Sequence, residues 1–183
     1  MTDALIVVDI QNDFVEGGSL GVEGGQQVAH DVATLIATGS YKYVIATRDH
    51  HIDPGAHFSA TPDFVDSWPP HCVVGTPGAD FAMPLGPENF TEVFYKGEYA
   101  AAYSGFEGRS AQGESLADWL ERHEIASVDV CGIATDHCVS ATALDAARSG
   151  LAVRVLLDLT AAVSPQNLAE VEEAWYDEGI TVS

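Results

Sequence analysis

Basic side chains are scarce in this chain of 183 residues. Lys and Arg together number 7 against 28 Asp and Glu, so the formal net charge is -21. Such a surface repels nucleic acid and anionic lipid, which argues against both as partners. Only two of those bases are lysines, Lys42 and Lys96. Cysteine is equally sparse. Cys72, Cys131 and Cys138 are too few and too scattered for a disulfide framework, and a reducing cytoplasm is the simplest assignment. No apolar run approaches the ~20 residues of a membrane helix. The first residues, MTDALIVVDI, lack a basic n-region and read as no secretory leader. Repeats, low-complexity tracts and linkers are missing too. The length suits one domain over residues 1–183, with hydrophobic content of 46% to fill its core.

What is present is an alternation of short apolar runs and amphipathic stretches. Residues 4–9, ALIVVD, form a continuous apolar run ending on an acid, as expected of a strand buried on both faces. Helical spacing of Val28, Val32, Leu35 and Ile36 predicts a helix over 26–38, stopped by Gly39. Strands follow over 43–49 and 92–96, separated by a long stretch, 50–91, with no clear element. A loop of that length in a compact domain points to function, and its histidines agree. Residues 97–108 form a Tyr- and Gly-rich loop. A helix over 114–123 turns Leu116, Trp119 and Leu120 inward. Residues 128–133 are a strand, 134–136 a turn, and an Ala-rich helix runs to Arg148 before Gly150. A strand over 152–157 comes next. Ser164 as cap with Pro165 at the first helical position opens another helix, and 179–182 reads as a short sixth strand. Strands alternating with helices predict an α/β fold with a mainly parallel sheet and helices on both faces.

Right-handed crossovers place the carboxyl ends of the strands on one edge, where such folds bind ligands. Four strands end at or just before a chemically capable residue: Asp9, Asp49, Lys96 and Cys138. Cys138 opens a helix, where backbone dipoles and free N–H groups favour a thiolate. Asp9, Lys96 and Cys138 therefore make a candidate set for amide hydrolysis. Cys138 attacks the carbonyl, Asp9 carries the proton, and Lys96 holds Asp9 ionised. The bland alternative is a packing cysteine, a loop-capping aspartate and a surface lysine. Asp49, His51, His57 and His71 make a candidate metal site, one carboxylate with three imidazoles, suited to one divalent ion, Fe²⁺, Zn²⁺ or Mn²⁺; otherwise they belong to a solvated polar loop. His50 lies on the other side of the strand alternation and is not counted as a ligand. Phe14, Trp68 and Tyr103 are placed to wall a flat aromatic substrate. Asp136 is read as a helix cap, Cys72 and Cys131 as packing residues, and His30 and His123 as solvated.

Five segments carry a family resemblance: ALIVVDIQNDF, ATRDHHIDPGAHFS, SWPPHCVVGTPGADF, VFYKGEYAAAYSGFEG and GIATDHCVSATALDAARSG. Together they resemble the nicotinamidase/pyrazinamidase family of the isochorismatase-like cysteine hydrolase superfamily. The resemblance implies a three-layer α/β/α fold whose six-stranded sheet has the order 3-2-1-4-5-6. It implies hydrolysis of nicotinamide to nicotinate and ammonia, and of pyrazinamide to pyrazinoate, through a thioester on Cys138 with Asp9 and Lys96 completing the triad. Asp49, His51, His57 and His71 would hold one metal ion that binds the ring nitrogen. The N–H groups of Ala134 and Cys138 would form the oxyanion hole, the Ile133–Ala134 peptide would be cis, and Phe14, Trp68, Tyr103, Ile133 and Ala134 would line the pocket. The implied partner is a small molecule, with no nucleic acid or membrane, and the protein a monomer or small homo-oligomer. A related cysteine amidohydrolase for another small carboxamide is the alternative reading, and a non-catalytic sensor a more distant one.

Overall fold

The computed structural model describes residues 3–183. Six strands form one sheet: β1 (Ala4–Val8), β2 (Tyr43–Asp49), β3 (Glu92–Lys96), β4 (Ser127–Ile133), β5 (Ala152–Ala161) and β6 (Thr181–Val182). Their order is β3-β2-β1-β4-β5-β6, and every neighbouring pair is parallel. The expected strand order is thus the observed one. Four α-helices complete the layers: α1 (Gly25–Ala37), α2 (Leu116–Arg122), α3 (Ser140–Arg148) and α4 (Leu168–Asp177).

The strand sequences explain the layering. All five residues of β1 are buried. Ala4, Ile6 and Val8 face one way, joining Phe94, Val128 and Val130 against Trp119, Ala143 and Trp175 from α2, α3 and α4. Leu5 and Val7 face the other way, with Ala46, Cys131 and Ile133, against Val28, Ala29 and Val32 of α1. Each fully buried Leu, Ile or Val contributes roughly 1.5–3 kcal/mol. Both faces being covered is what requires continuous apolar strands instead of alternating ones.

Four expectations are corrected. The 50–91 stretch contains three short 3-10 turns, Gly55–His57, Pro77–Ala79 and Pro87–Asn89. Its second half is also a core layer, because Phe81, Ala82 and Leu85 pack beside α1 on the sheet. β5 extends four residues past the expected end at Leu157. Exposed Asp158 interrupts its apolar run, and an irregularity absorbs it: Val130 pairs with Val155, but Gly132 pairs with Thr160. Ser164 makes no side-chain cap; Pro165 opens a 3-10 turn and α4 begins at Leu168. His123 is not simply solvated, for its ring stacks on Trp119 with centroids 3.7 Å apart and its Nδ1 meets the Trp119 carbonyl at 2.8 Å.

One glycine sets how closely the central strands approach. Gly132 has φ +119°, and a Cβ there would lie 2.1 Å from the Val8 carbonyl oxygen. Gly150 also has a positive φ, +90°, but a Cβ there would meet nothing within 4 Å. Gly132→Ala is expected to destabilise by more than about 3 kcal/mol, combining backbone strain and overpacking. Gly150→Ala should cost only about 1–2 kcal/mol. Urea denaturation of the two variants checks this, and equal losses would refute the close-approach argument.

Candidate active site

β2 and β3 are in register, so that Asp49 pairs directly with Lys96. Asp9 follows β1 with a left-handed φ of +48°, and its N–H donates to the Thr47 carbonyl at 3.2 Å. Cys138 lies beyond β4, in a wide π turn (Thr135–Val139) that leads into α3. The Val139 N–H closes that turn by donating to the Ala134 carbonyl at 3.0 Å. The Ile133–Ala134 peptide is cis. The four residues are thereby gathered at the carboxyl edge, where the strand order turns outward from β1 and β4 in opposite directions.

Lys96 is the centre of this cluster, with only 2% of its surface exposed. Its Nζ lies 2.9 Å from Asp9 Oδ2, donates to Asp49 Oδ1, and reaches Cys138 Sγ at 3.7 Å. Burial alone would strip the lysine of its proton, but Asp49 and Asp9 more than offset it and hold its pKa well above the usual range. Burial acts on Asp49 in the opposite sense to its neighbours: Lys96, His51 and His71 overcome it and keep that carboxyl well below its usual value. Burial dominates at Asp9 and raises its pKa, even against Lys96. The Thr47 hydroxyl donates to Asp9 Oδ1 at 2.6 Å and fixes the carboxyl plane. The Cys138 thiol feels opposing influences. Burial, with the charges of Asp9 and Asp49, pushes it well above its usual pKa against the pull of Lys96.

His51, His57 and His71 offer ring nitrogens that all lie within 4.8 Å of one another. Asp49 Oδ2 stands 3.4 Å from His51 Nε2 and 3.6 Å from His71 Nε2. The other ring nitrogens are anchored: His51 Nδ1 meets the Gly97 carbonyl at 2.6 Å, and His71 Nδ1 the Pro69 carbonyl at 2.8 Å. Anchoring of that kind fixes a ligating imidazole's tautomer and orientation. His51 Nε2 and His57 Nδ1 are buried without a hydrogen-bond partner among the described residues, a costly state that an ion relieves. Burial, with His71 and His51 nearby, pushes His57 down to about 4, which favours the neutral ring with one nitrogen lone pair available. This donor set fits a divalent metal ion.

A cavity of about 750 Å³ opens onto the cluster. Asp49, His57, His71, Ile133, Ala134 and Cys138 line it, as do the aromatics Phe14, Trp68 and Tyr103. Asp9, Lys96 and His51 lie beneath that wall, fully or almost fully buried. Trp68 Nε1 donates to the Tyr103 hydroxyl at 3.2 Å, and the Phe14 and His71 rings sit 5.5 Å apart. Every candidate residue read from the sequence is therefore at the cavity or directly below it. Asp136 departs from its reading as a cap. Its carboxylate accepts the N–H groups of Val163 and Ser164, at 2.9 and 2.8 Å, and so ties the end of β5 to the π turn.

A model of the isochorismatase domain matches residues 3–173. The chain belongs to the isochorismatase family. Within that family it is 57% identical to a nicotinamidase/pyrazinamidase of Mycobacterium tuberculosis over 172 residues, covering 93% of this chain and 92% of that one. The crystal structure of an L. infantum protein in complex with nicotinate matches at a TM-score of 0.87 and 35% identity, over 100% of this chain and 92% of the other. A Pyrococcus horikoshii pyrazinamidase in complex with zinc matches at 0.85 and 35%, over 100% and 99%.

Three anchors escaped sequence reading. Gln11 Nε2 donates to the carbonyls of Asp49 and Ala79, and its Oε1 accepts the Asp49 N–H, all at 2.9 Å. Thr47 orients Asp9. Asp13 Oδ2 accepts the Cys72 N–H at 2.8 Å and pins the turn beside His71. Gln11→Leu leaves both backbone groups of Asp49 buried without their partner and is expected to cost about 3 kcal/mol. Urea denaturation measures it; a loss below about 0.5 kcal/mol would dismiss the clamp.

Proposed function

We propose that this protein hydrolyses nicotinamide to nicotinate and ammonia, and pyrazinamide to pyrazinoate, through a thioester on Cys138. The observation that carries this reading is the meeting of Cys138, Lys96 and Asp9 with the Asp49–His51–His57–His71 group around one aromatic-walled cavity. The family membership and the likeness to nicotinamidases support it.

In this reading Cys138 is the nucleophile and starts as a thiol. Asp9, made more basic by burial, takes the thiol proton as Sγ attacks the amide carbon. Lys96 remains cationic and offsets the negative charge that passes from carboxylate to sulfur. The N–H groups of Ala134 and Cys138 hold the carbonyl oxygen as it gains charge. Asp9 returns the proton to the departing nitrogen, and ammonia leaves. Asp9 then takes a proton from water, which opens the thioester and frees the acid. Phe14, Trp68 and Tyr103 hold the ring flat, and Ile133 closes the pocket floor. Asp49, His51, His57 and His71 would hold Fe²⁺, Zn²⁺ or Mn²⁺, which when bound supplies an electrophile for the pyridine nitrogen. No helix among the described residues is long and apolar enough to cross a membrane, and three free buried thiols suit a reducing compartment such as the cytoplasm.

Cys138→Ala is expected to lower ammonia release from nicotinamide by about 10³-fold or more. Release at the parent rate would sink the thioester route. His57→Ala should lower the bound metal, measured by elemental analysis of the purified protein, by about 10–100-fold in affinity. Unchanged metal content would remove His57 from the ligand set.

A further inference from the structure

Tyr103 walls the cavity from a stretch of chain that no ladder holds. It follows β3 after an exposed run, 98–101, and belongs to no strand or helix. The other two aromatics are held by backbone bonds. The Trp68 N–H donates to the His57 carbonyl at 2.8 Å and its carbonyl accepts the Ser59 N–H at 2.9 Å, while the Phe14 N–H donates to the Gln11 carbonyl at 3.0 Å. The Tyr103 N–H has a side chain as its partner. It donates to Glu107 Oε2 at 2.8 Å, and the Ser104 N–H donates to the same oxygen at 2.9 Å.

Part of this arrangement is an ordinary turn start. Ser104 precedes the 3-10 turn Gly105–Glu107, its Oγ accepts the Phe106 N–H at 3.2 Å, and Glu107 returns a bond to the Ser104 N–H. That exchange is a capping box, and it needs nothing from Tyr103. The bond to the Tyr103 N–H is additional. It fixes the backbone one residue before the cap, where the aromatic side chain departs. Glu107 itself is exposed and does not line the cavity. Its carboxylate therefore acts on the cavity only through Tyr103.

The turn that carries Glu107 is seated on the reaction centre. The Gly105 N–H donates to the Thr142 hydroxyl at 2.9 Å, and a Cβ on Gly105 would lie 2.6 Å from the methyl of Thr47, the residue that orients Asp9. Just before Tyr103, the Ala102 carbonyl accepts from Lys96 Nζ at 3.4 Å. From this platform the Tyr103 hydroxyl meets Trp68 Nε1 at 3.2 Å, and its ring lies 26° from the plane of His137 with centroids 6.3 Å apart. We propose that Glu107 is a positioning residue whose carboxylate sets where the Tyr103 ring stands, and so how firmly the cavity holds a flat aromatic amide. The inference rests on the reading under Proposed function. A ring gripped equally in the ground and transition states lowers KM and leaves kcat alone. Loss of Glu107 therefore acts on KM.

The test uses the metal-loaded full chain and steady-state hydrolysis of nicotinamide. Glu107→Ala should raise KM by about tenfold and keep kcat within about threefold of the parent. Glu107→Gln keeps an acceptor oxygen without the charge, and should bring KM back to within about threefold. Ser104→Ala opens the cap but leaves the Tyr103 bond, so its KM should stay within about twofold of the parent. In a Tyr103→Ala background, adding Glu107→Ala should change KM by less than about twofold. Calorimetry on Cys138→Ala repeats the comparison without turnover: nicotinamide should bind about tenfold more weakly once Glu107→Ala is added. An unchanged KM in Glu107→Ala overturns the inference. So does a Glu107→Gln protein as impaired as Glu107→Ala. A Ser104→Ala loss equal to that of Glu107→Ala also overturns it, by assigning the effect to the turn as a whole. The same holds for an effect that persists in full in the Tyr103→Ala background. Failure of the parent protein to hydrolyse nicotinamide overturns the reading under Proposed function, and this inference falls with it.

Discussion

A buried ammonium governs this molecule. Lys96 is held in the interior by two carboxylates, Asp49 at the end of the neighbouring β2 and Asp9 just after β1, one strand further on. Moving such a charge out of water costs several kcal/mol, and only close, well-directed partners offset it. The partners are supplied by register. Asp49 sits directly across from Lys96 in the β2–β3 ladder, and Asp9 is turned toward it by a left-handed residue at the end of β1. A slip of one residue in any of these strands would move an acid to the wrong face of the sheet and leave the lysine unpaired. The ion cluster and the strand register therefore enforce each other.

The same cluster explains why so much of its surroundings is rigid. Two carboxylates facing one ammonium leave a surplus negative charge beneath an apolar wall. The Thr47 hydroxyl, donating to Asp9 Oδ1, is one compensation. A divalent cation on the neighbouring imidazoles would be another, next to Asp49, which stands between the two halves of the site. A shared carboxylate must not rotate. Gln11 prevents that by bonding both backbone groups of Asp49, as a neighbouring strand would, at a point where β1 has already ended. On the far side, the Thr142 hydroxyl donates to the Cys138 carbonyl at 2.7 Å and accepts the Gly105 N–H at 2.9 Å. That pair of bonds ties the loop bearing Tyr103 to the turn bearing the cysteine.

The parts legible in the sequence were those whose signal is local. Continuous apolar runs ending on Asp49, Lys96 or the turn before Cys138 announce a parallel sheet with a chemical edge, and the Asp49-x-His51 spacing announces ligands on one side of an extended chain. The anchors were not legible, because their partners lie far away in sequence. A buried glutamine among polar loop residues carries no mark that distinguishes it from its solvated neighbours. Asp136 was misread for a related reason. An acid at a helix start is normally a cap, but the wide π turn leaves this one free to reach the chain leaving β5. Phe81 and Leu85 were missed as core because the irregular chain between two 3-10 turns has no periodicity to read. The depth at which the Cys138 thiol is buried was not legible either, because sequence shows the helix start and the lysine but not what covers them.

The acidic surface meets substrate and product differently. Nicotinamide is neutral, so a field of -21 formal charges neither steers it in nor keeps it out. Under the proposed reaction the product is an anion, formed beside Asp9 and Asp49 and within that same field. Only Lys96 among the described basic side chains lies at the cluster, and it is already bound to both acids. A carboxylate product thus finds no unengaged cation along its way out, and the surrounding acids repel it. The scarcity of basic residues, neutral toward the reactant, becomes favourable to release once the amide bond is broken.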